Sequence, residues 1–262
     1  MGRIPVIVIS LAVAASRRAA MTKRMTDLGL AFSYFDAVNG REMTAEALAR
    51  YNPQPYLGEF CRQLSPGEIG CVASFETVCR MIAEGSEEFV CVAEDDALFT
   101  PETLPFLERA YLEKLPRFDM LRLGGDFGHA RWGVALEDYG DRSLVIALSN
   151  FYCGVAQLLT RRGAAQIARR LIPVDAALDY TLFREPRTAI AIMTVRPMPV
   201  TVDHQPSTID MMGQRPVRFV SSNPVNWVRR NLHHMWRRML VIPYFVKVWG
   251  WRMLLRARRL PL

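Results

Sequence analysis

Three consecutive acidic residues, Glu94, Asp95 and Asp96, directly follow a short apolar run at residues 89–93. A Val-containing run of this length predicts a buried strand that delivers the carboxylates to a sheet edge, where open α/β folds bind ligands. Adjacent carboxylates repel one another unless they are solvated or neutralised, and Mg²⁺ and Mn²⁺ prefer oxygen ligands and can bridge to phosphates. The triplet therefore indicates a candidate metal site, with a solvated acidic turn as the alternative interpretation.

The element before this strand has a clear helix start. In Ser65-Pro66-Gly67-Glu68, Ser65 suits the N-cap, proline the first helical position, and Glu68 can return a hydrogen bond to the cap. Apolar residues then recur at helical spacing until Gly85. The pattern predicts a helix that leads directly into the strand and the triplet.

The amino-terminal segment predicts a strand, a helix and a second strand. Residues 5–9 form the first apolar run, Ser16 can cap a helix over residues 17–28, and Gly29 supplies its left-handed end. A signal peptide would resemble residues 3–15, but Pro5, Ser10 and the following Arg17-Arg18 favour the strand. Residues 32–38 are the second strand, which contains Asp36.

The later segments continue the alternation of helices and strands. We predict a helix from Thr100, a strand at 119–123, a mobile insertion at 127–143, strands at 144–147 and 153–159, helices from Thr160 and from Pro173, and a strand at 189–195. Alternating elements of this kind indicate an α/β fold with an open, mainly parallel sheet flanked by helices.

Composition excludes several classes of site. The five cysteines form no CxxC pair and the four histidines are scattered, which argues against a structural zinc site. No stretch of about twenty uninterrupted apolar residues is present, so we expect no transmembrane helix.

The basic charge is concentrated at the carboxyl end. Residues 221–262 contain nine Arg or Lys residues and no acid, so they account for more than the whole net charge of +7. The positive net charge of the chain therefore gives no indication of a nucleic-acid groove on the main domain. We expect a catalytic domain at residues 1–215 and a basic, aromatic, helical tail at 216–262.

Trp and Tyr residues are interleaved with the basic residues of this tail. This combination is typical of a segment that lies on an anionic membrane surface. Nucleic-acid binding, with the aromatic rings stacked on bases, and a plain partner helix are the alternatives. We favour the membrane.

Several blocks in a fixed order make the sequence recognisable. They are Leu11, Arg17-Arg18, Asp36-Ala37-Val38-Asn39-Gly40, Leu64-Ser65-Pro66-Gly67-Glu68-Ile69-Gly70-Cys71, Glu94-Asp95-Asp96 and Pro173-Val174-Asp175. Together they resemble glycosyltransferase family 25, the lipooligosaccharide galactosyltransferase family that also includes the collagen galactosyltransferases. The resemblance runs over roughly residues 4–210.

The resemblance implies a GT-A-like (Rossmann-like) nucleotide-sugar fold, a UDP-sugar donor, Mn²⁺ or Mg²⁺, and an inverting transfer to a sugar hydroxyl. It assigns the metal to Glu94 and Asp96, with His204 of a late polar loop, or its neighbour Asp203, as a further ligand. The donor would be bound by Arg17, Arg18, Asp36 and Asp95. For each of these four, a solvated or structural role is the alternative.

An inverting displacement needs a base that accepts the proton of the acceptor hydroxyl. Asp175 is the family-matched candidate, Asp179 lies one predicted helical turn later, and Asp126 is the third candidate. Helix capping at Asp175 and a surface position for Asp179 are the alternatives.

Two departures from the family pattern leave a second hypothesis open. Ser74 is followed by Phe75 where the family commonly has histidine, and Ser10 stands where asparagine is usual before Leu11. We expect a hexosyltransferase, with galactose as the favoured sugar, acting on a lipooligosaccharide, lipopolysaccharide or related glycan at the inner face of the cytoplasmic membrane. The alternative is a non-catalytic glycan- or membrane-binding protein on a decayed transferase scaffold.

Overall fold

The computed structural model describes residues 2–54, 63–125, 132–148, 154–184, 188–203 and 224–260. The strands are β1 (Val6–Ser10), β2 (Phe32–Asp36), β3 (Phe89–Glu94), β4 (Ala97–Leu98), β5 (Met120–Gly124), β6 (Trp132–Tyr139), β7 (Arg142–Ala147), β8 (Ala156–Thr160), β9 (Ile192–Arg196), β10 (Thr201–Val202) and β11 (Arg258–Arg259). The helices are α1 (Ala15–Asp27), α2 (Ala45–Tyr51), α3 (Pro66–Glu84), α4 (Arg109–Leu112), α5 (Arg161–Arg170), α6 (Leu178–Arg184), α7 (Pro224–Trp249) and α8 (Trp251–Leu254), with 3₁₀ helices at Gly40–Glu42 and Pro101–Leu107.

A nine-stranded sheet in the order β11-β6-β7-β9-β5-β8-β3-β1-β2 organises the fold. The pairs β1–β2, β1–β3 and β5–β9 are parallel, and the remaining pairs are antiparallel. The α/β class predicted from the alternation is confirmed. Parallel pairing is found in the strands around the candidate site, and the sheet as a whole is mixed.

The register of the parallel strands brings their carboxyl ends together. Ser10 at the end of β1 pairs with Asp36 of β2, and Ile9 pairs with Glu94 of β3. Because these three strands run in the same direction, the residues that follow them share one edge of the sheet.

Two apolar layers cover the faces of the sheet. Alternate residues of β3 point to opposite faces of the sheet. Cys91 packs in the layer of α1 and the Pro101–Leu107 helix, whereas Val90 and Val92 pack in the layer of α3 and α5. All three are at most 4% exposed, which explains why this strand is apolar throughout.

Helix α3 begins as its sequence predicts. The Ser65 hydroxyl accepts a hydrogen bond from the Glu68 amide at 3.2 Å, and the Glu68 carboxylate accepts one from the Ser65 amide at 2.8 Å. This reciprocal cap satisfies donors that would otherwise be unpaired at the helix start and fixes where the helix begins.

Two predicted helix starts are wrong. Helix α1 begins at Ala15 after Ala14, with no side-chain cap, so Ser16 lies inside the helix. Helix α6 begins at Leu178 and not at Pro173. The backbone amide of Val174 instead donates to the carbonyl of Tyr51 at 2.6 Å, and the side-chain amide of Asn52 donates to the carbonyl of Val174 at 2.7 Å. These hydrogen bonds attach the segment to the end of α2.

The predicted mobile insertion is also wrong in its described part, because residues 132–147 form the β6–β7 hairpin. Tyr139 pairs with Arg142 across a two-residue turn, and Gly140 there has φ +61°. A Gly-Asp turn with positive φ is typical of a β-hairpin. The charged residues on either side of it led to the prediction of a mobile insertion.

The predicted tail is attached to the domain at its carboxyl end. Phe245 of α7 is 2% exposed within the core, and the Tyr244 hydroxyl donates to the carbonyl of Ile190 at 2.8 Å. Strand β11 pairs with β6. The predicted boundary at residue 215 lies outside the described residues.

The preceding turns of α7 carry an exposed apolar stripe. Its members, each 47–69% exposed, are Val225, Val228, Leu232, Met235, Trp236, Met239 and Ile242. Apart from the adjacent pair Met235 and Trp236, they follow one another at intervals of three or four residues, which places them on one helix face. In the described part of the chain, every helix is too short or too polar to span a bilayer.

Candidate functional site

A pocket of ≈ 130 Å³ lies where the carboxyl ends of β1 and β3 meet the start of α3. Its walls come from the ends of the parallel strands, the segment after β2, the first turns of α3, and single residues of β8 and α6. The lining residues are Ile9, Ser10, Leu11, Arg17, Ala37, Val38, Asn39, Gly40, Gly67, Gly70, Cys71, Ser74, Phe75, Val92, Ala93, Glu94, Asp95, Asp96, Gln157 and Leu178.

Two glycines allow the segment after β2 to lie directly against α3. A Cβ added to Gly40 would lie 1.7 Å from the carbonyl oxygen of Pro66, and one added to Gly70 would lie 2.6 Å from that of Val38. The buried Ser74 hydroxyl joins the two segments, since it accepts from the Val38 amide at 2.8 Å and donates to the Gly70 carbonyl at 2.7 Å. Close backbone packing therefore shapes this wall of the pocket.

Asp95 positions Arg17. Its carboxylate accepts a hydrogen bond from the Ser10 hydroxyl at 2.6 Å and one from the Arg17 guanidinium at 2.9 Å. The side chains of Arg17 and Asp95 are only 14% and 11% exposed. Ser10, which departs from the family pattern, is thus part of the network that holds an arginine in the pocket wall.

Asp96 carries the clearest signal of a missing partner. Its Oδ1 atom is buried and has no hydrogen-bond partner among the described residues. Burial raises the pKa of Asp96, the charge of Asp95 raises it further, Arg17 opposes these effects, and Asp203 adds to the increase. The Asp203 amide donates to the Asp96 carbonyl at 2.8 Å, next to the β4–β10 pair.

These features fit a divalent cation that is shared with a bound phosphate. In the part of the chain that the structure describes, no three His, Cys, Asp or Glu side chains converge into a complete metal site. Mg²⁺-type sites at phosphates commonly use only one or two carboxylates, with phosphate and water oxygens completing the shell. Asp96 offers an unsatisfied buried oxygen, and Glu94 lines the same pocket.

Arg18 and Asp36, both predicted to bind the donor, bind each other. The Arg18 guanidinium contacts the Asp36 carboxylate at 2.5 Å and donates to the Ser10 carbonyl at 2.7 Å. It also lies 4.7 Å from the centre of the Tyr34 ring. The described pocket lining includes Arg17 but neither Arg18 nor Asp36, so the structure places this pair in a supporting position beside β1 and β2.

The three candidate bases have different positions. Asp175 and Asp179 flank Leu178, which lines the pocket, although neither carboxylate belongs to the described lining. Asp175 precedes α6, so the predicted helical spacing between the two does not hold. Asp126 and the predicted metal ligand His204 lie outside the described residues.

Gln157 is a pocket residue that was not predicted from the sequence. This residue of β8 is 4% exposed and lines the pocket. The available signal was a single amide within the otherwise apolar run at residues 154–159. A buried polar side chain in such a strand is itself informative.

A family model for glycosyltransferase family 25, described as an LPS biosynthesis protein, matches residues 3–131. This region contains β1 to β5 and every described pocket residue except Gln157 and Leu178. The match therefore covers the part of the chain that builds most of the pocket.

Relatives extend the similarity beyond residue 131. A probable inactive glycosyltransferase 25 family member 3 from Rattus norvegicus is 30% identical over 71% of this chain and 34% of its own length. The lacto-N-neotetraose biosynthesis glycosyltransferase LgtB from Neisseria gonorrhoeae is 32% identical over 64% of each chain. Procollagen galactosyltransferase 1-B from Xenopus laevis is 28% identical over 69% of this chain and 31% of its own length.

The chain thus spans about a third of the length of the animal relatives that it matches. Residues 3–131 are thus similar to glycosyltransferase family 25, and these relatives match 64–71% of the chain.

Proposed function

We propose that this protein is an inverting, metal-dependent glycosyltransferase that moves a hexose, galactose being favoured, from a UDP-sugar to a lipooligosaccharide, lipopolysaccharide or related glycan. The observation that carries the proposal is the buried oxygen of Asp96, which has no hydrogen-bond partner among the described residues and lies in a pocket at the carboxyl ends of parallel strands. Relatives named as an LgtB glycosyltransferase and a procollagen galactosyltransferase support the reaction class.

In the proposed donor site, different parts of the pocket bind the nucleoside and the diphosphate. Backbone of residues 37–40, packed on α3, forms a narrow wall suited to the flat uracil and ribose. Arg17, held by Asp95, lines the pocket, and its fork of donors suits the diphosphate. Mn²⁺ or Mg²⁺ bound by Asp96, with Glu94 and Asp203 as further acidic groups, would neutralise the charge of the departing UDP.

The acceptor hydroxyl must lose a proton to a base on the face of the hexose opposite UDP. We retain Asp175 and Asp179 as candidates because Leu178, which lies between them, lines the pocket. A carboxylate in either position could accept the proton as the new glycosidic bond forms.

A thermal-shift screen of nucleotide sugars tests the donor proposal. We expect a UDP-hexose at 100 times its Kd to stabilise the protein by about 2.7 kcal/mol in the presence of Mn²⁺. For a chain of this size, that corresponds to a rise in Tm of roughly 5–10 °C. ADP-glucose is the control and should produce a much smaller shift, and Mn²⁺ chelation should remove most of the UDP-hexose shift.

A non-catalytic protein on the same scaffold is the second candidate. It is favoured by Phe75, which lines the pocket where the family commonly has histidine, and by relatives whose names call them inactive. This candidate predicts that UDP-hexoses leave Tm unchanged with and without Mn²⁺.

We also propose that the protein is cytoplasmic and binds the inner face of the cytoplasmic membrane through its basic carboxyl segment. The exposed stripe of α7 supplies apolar side chains, and residues 221–262 carry nine basic residues and no acid. Apolar insertion together with attraction to anionic lipid is the known basis of interfacial helix binding. A membrane position would bring the enzyme to a lipid-linked saccharide acceptor.

Replacing Leu232 and Met239 by serine tests the membrane proposal. The two side chains are 54% and 69% exposed, so the substitutions should not disturb the folded core. Loss of both from an inserted face should cost about 3 kcal/mol, or roughly 100-fold in partitioning to vesicles with 30% anionic lipid. Co-sedimentation measures the partitioning.

The matched control is Met81→Ser, which removes an exposed apolar side chain of α3 and should leave vesicle binding unchanged. Purely zwitterionic vesicles should bind the wild type more weakly. A wild-type protein that does not bind anionic vesicles but dimerises through the exposed apolar stripe of α7 would contradict the membrane proposal.

A further inference from the structure

A buried row of side chains crosses the centre of the sheet beside the pocket. In the strand register, Val92 of β3 pairs with Gln157 of β8, Gln157 pairs with Arg122 of β5, and Arg122 pairs with Thr194 of β9. These four residues are at most 4% exposed. Three of them are polar, which is unusual for the central strands of a sheet that is covered on both faces.

Gln157 is the polar member of this row that lines the pocket in the described structure. Its Oε1 atom is buried and has no hydrogen-bond partner in the described structure. An unsatisfied buried amide oxygen costs about 1–3 kcal/mol, so a residue kept in this state needs a reason. A ligand hydroxyl that completes the hydrogen bond would provide one.

Gly154 lies next to the Gln157 amide, and the Phe183 ring lies close to Gly154. A Cβ added to Gly154 would lie 2.7 Å from the Phe183 ring and 3.1 Å from Gln157 Oε1. Phe183 is itself covered by the Arg122 guanidinium, at 4.0 Å from the ring centre. Because Gly154 has no side chain, it leaves room for the Gln157 amide beside the Phe183 ring.

The position of Gln157 in the pocket indicates what it binds. The sheet order places β8 on one side of β3 and places β1 and β2 on the other. With the nucleoside against residues 37–40 and the diphosphate near Arg17 and Asp96, the end of the pocket on the β8 side, which Gln157 lines, remains for the hexose. A neutral amide suits this end because sugar hydroxyls both donate and accept hydrogen bonds.

We propose that Gln157 binds a hydroxyl of the donor hexose and contributes to the choice of sugar. This inference rests on the proposed function, since it requires a UDP-hexose in the pocket. It predicts that Gln157 contributes to the affinity for the hexose and not to the affinity for UDP.

Calorimetric titration of UDP, UDP-galactose and UDP-glucose in the presence of Mn²⁺ tests the inference. We expect the wild type to bind the better of the two UDP-hexoses more tightly than UDP. Gln157→Met keeps the length of the side chain and removes its hydrogen bonds, so it should weaken that UDP-hexose by about tenfold. The affinity for UDP should stay within twofold of the wild-type value.

Thr194→Val is the matched control. Thr194 belongs to the same row and its hydroxyl is likewise buried without a partner among the described residues, but it is outside the described pocket lining. The substitution should leave all three affinities unchanged. Thr194→Val therefore shows whether removing a buried polar group from this row changes ligand affinity by itself.

The outcomes separate the inference from the function on which it rests. A wild type that binds neither UDP nor a UDP-hexose would overturn the proposed function. Binding of UDP with an unchanged hexose preference in Gln157→Met would overturn the role of Gln157 alone. Equal weakening of UDP and UDP-hexose, or a wild type with no preference for a UDP-hexose over UDP, would also overturn that role.

Discussion

Replacing Asp96 by asparagine is expected to lower metal-dependent turnover of the UDP-hexose by about 10³-fold. The Asp96 carboxylate has a buried oxygen with no partner in the described part of the chain, and an amide in its place carries no charge to hold Mn²⁺. Charge stabilisation by a catalytic metal contributes several kcal/mol, and each 1.36 kcal/mol is a factor of ten in rate. Release of UDP measures the effect.

Stability gives a second readout that does not depend on activity. The pKa of Asp96 is raised by burial, with a further increase from Asp95 and Asp203, so the folded protein retains this proton to higher pH than the unfolded chain. The metal-free wild type should therefore lose stability as pH rises from the usual Asp range through the raised pKa. Asp96→Asn should remove this component, and it should also remove the stabilisation by Mn²⁺.

Asp27→Asn is the control, because Asp27 is an exposed residue of α1 that pairs with Lys23. It should retain turnover, the stabilisation by Mn²⁺ and the pH-dependent component. Wild-type turnover and unchanged Mn²⁺ stabilisation in Asp96→Asn would show that the metal is bound elsewhere or is not used.

Replacing Gly40 by alanine is expected to have the largest effect on stability. The added Cβ would lie 1.7 Å from the Pro66 carbonyl oxygen and 3.2 Å from the Gly70 backbone nitrogen. Both neighbours are backbone atoms of α3, so relief requires the segment after β2 to move away from the helix. We expect a loss of about 3 kcal/mol, or roughly 6–12 °C in Tm, measured by calorimetry.

The same displacement should open the proposed nucleoside wall, so the affinity for UDP should fall together with Tm. Gly2→Ala is the control, since its added methyl group would meet no atom within 4 Å. A variant at position 40 with wild-type stability would mean that the close contact between the loop and α3 is not maintained in solution.

Local signals predicted the elements that build the pocket. The Ser65-Pro66-Gly67-Glu68 start of α3 and the apolar strand before Glu94 are defined by nearby residues, and the structure confirms both. The grouping of Arg17 with Glu94, Asp95 and Asp96 also follows from the order of parallel strands.

Long-range contacts determined what the sequence could not show. Arg18 and Asp36 are compatible with donor binding as isolated residues, and only the folded positions of α1 and β2, which carry them, reveal that they pair with each other. The segment at Pro173 carries a helix signal but is committed to contacts with Tyr51 and Asn52. Tertiary contacts override local propensity in such places.

Gln157 illustrates a different limit. Its strand was predicted, but the functional interest of one amide depends on which strand pairs with β3 and on what fills the space beside it. The antiparallel insertion of β8 between β3 and β5 cannot be derived from the local pattern of residues 153–159. The sequence could flag the residue as polar but could not place it in the pocket.

The central claim is that Asp96 and the surrounding pocket support metal-dependent chemistry on a UDP-hexose. The most direct test is the release of UDP from UDP-galactose and UDP-glucose by the purified protein, with Mn²⁺ and with EDTA. We expect release from at least one donor with Mn²⁺, almost none with EDTA, and a loss of about 10³-fold in Asp96→Asn. Absence of release from both donors with Mn²⁺, or release that is the same in EDTA and in Asp96→Asn, would contradict the central claim.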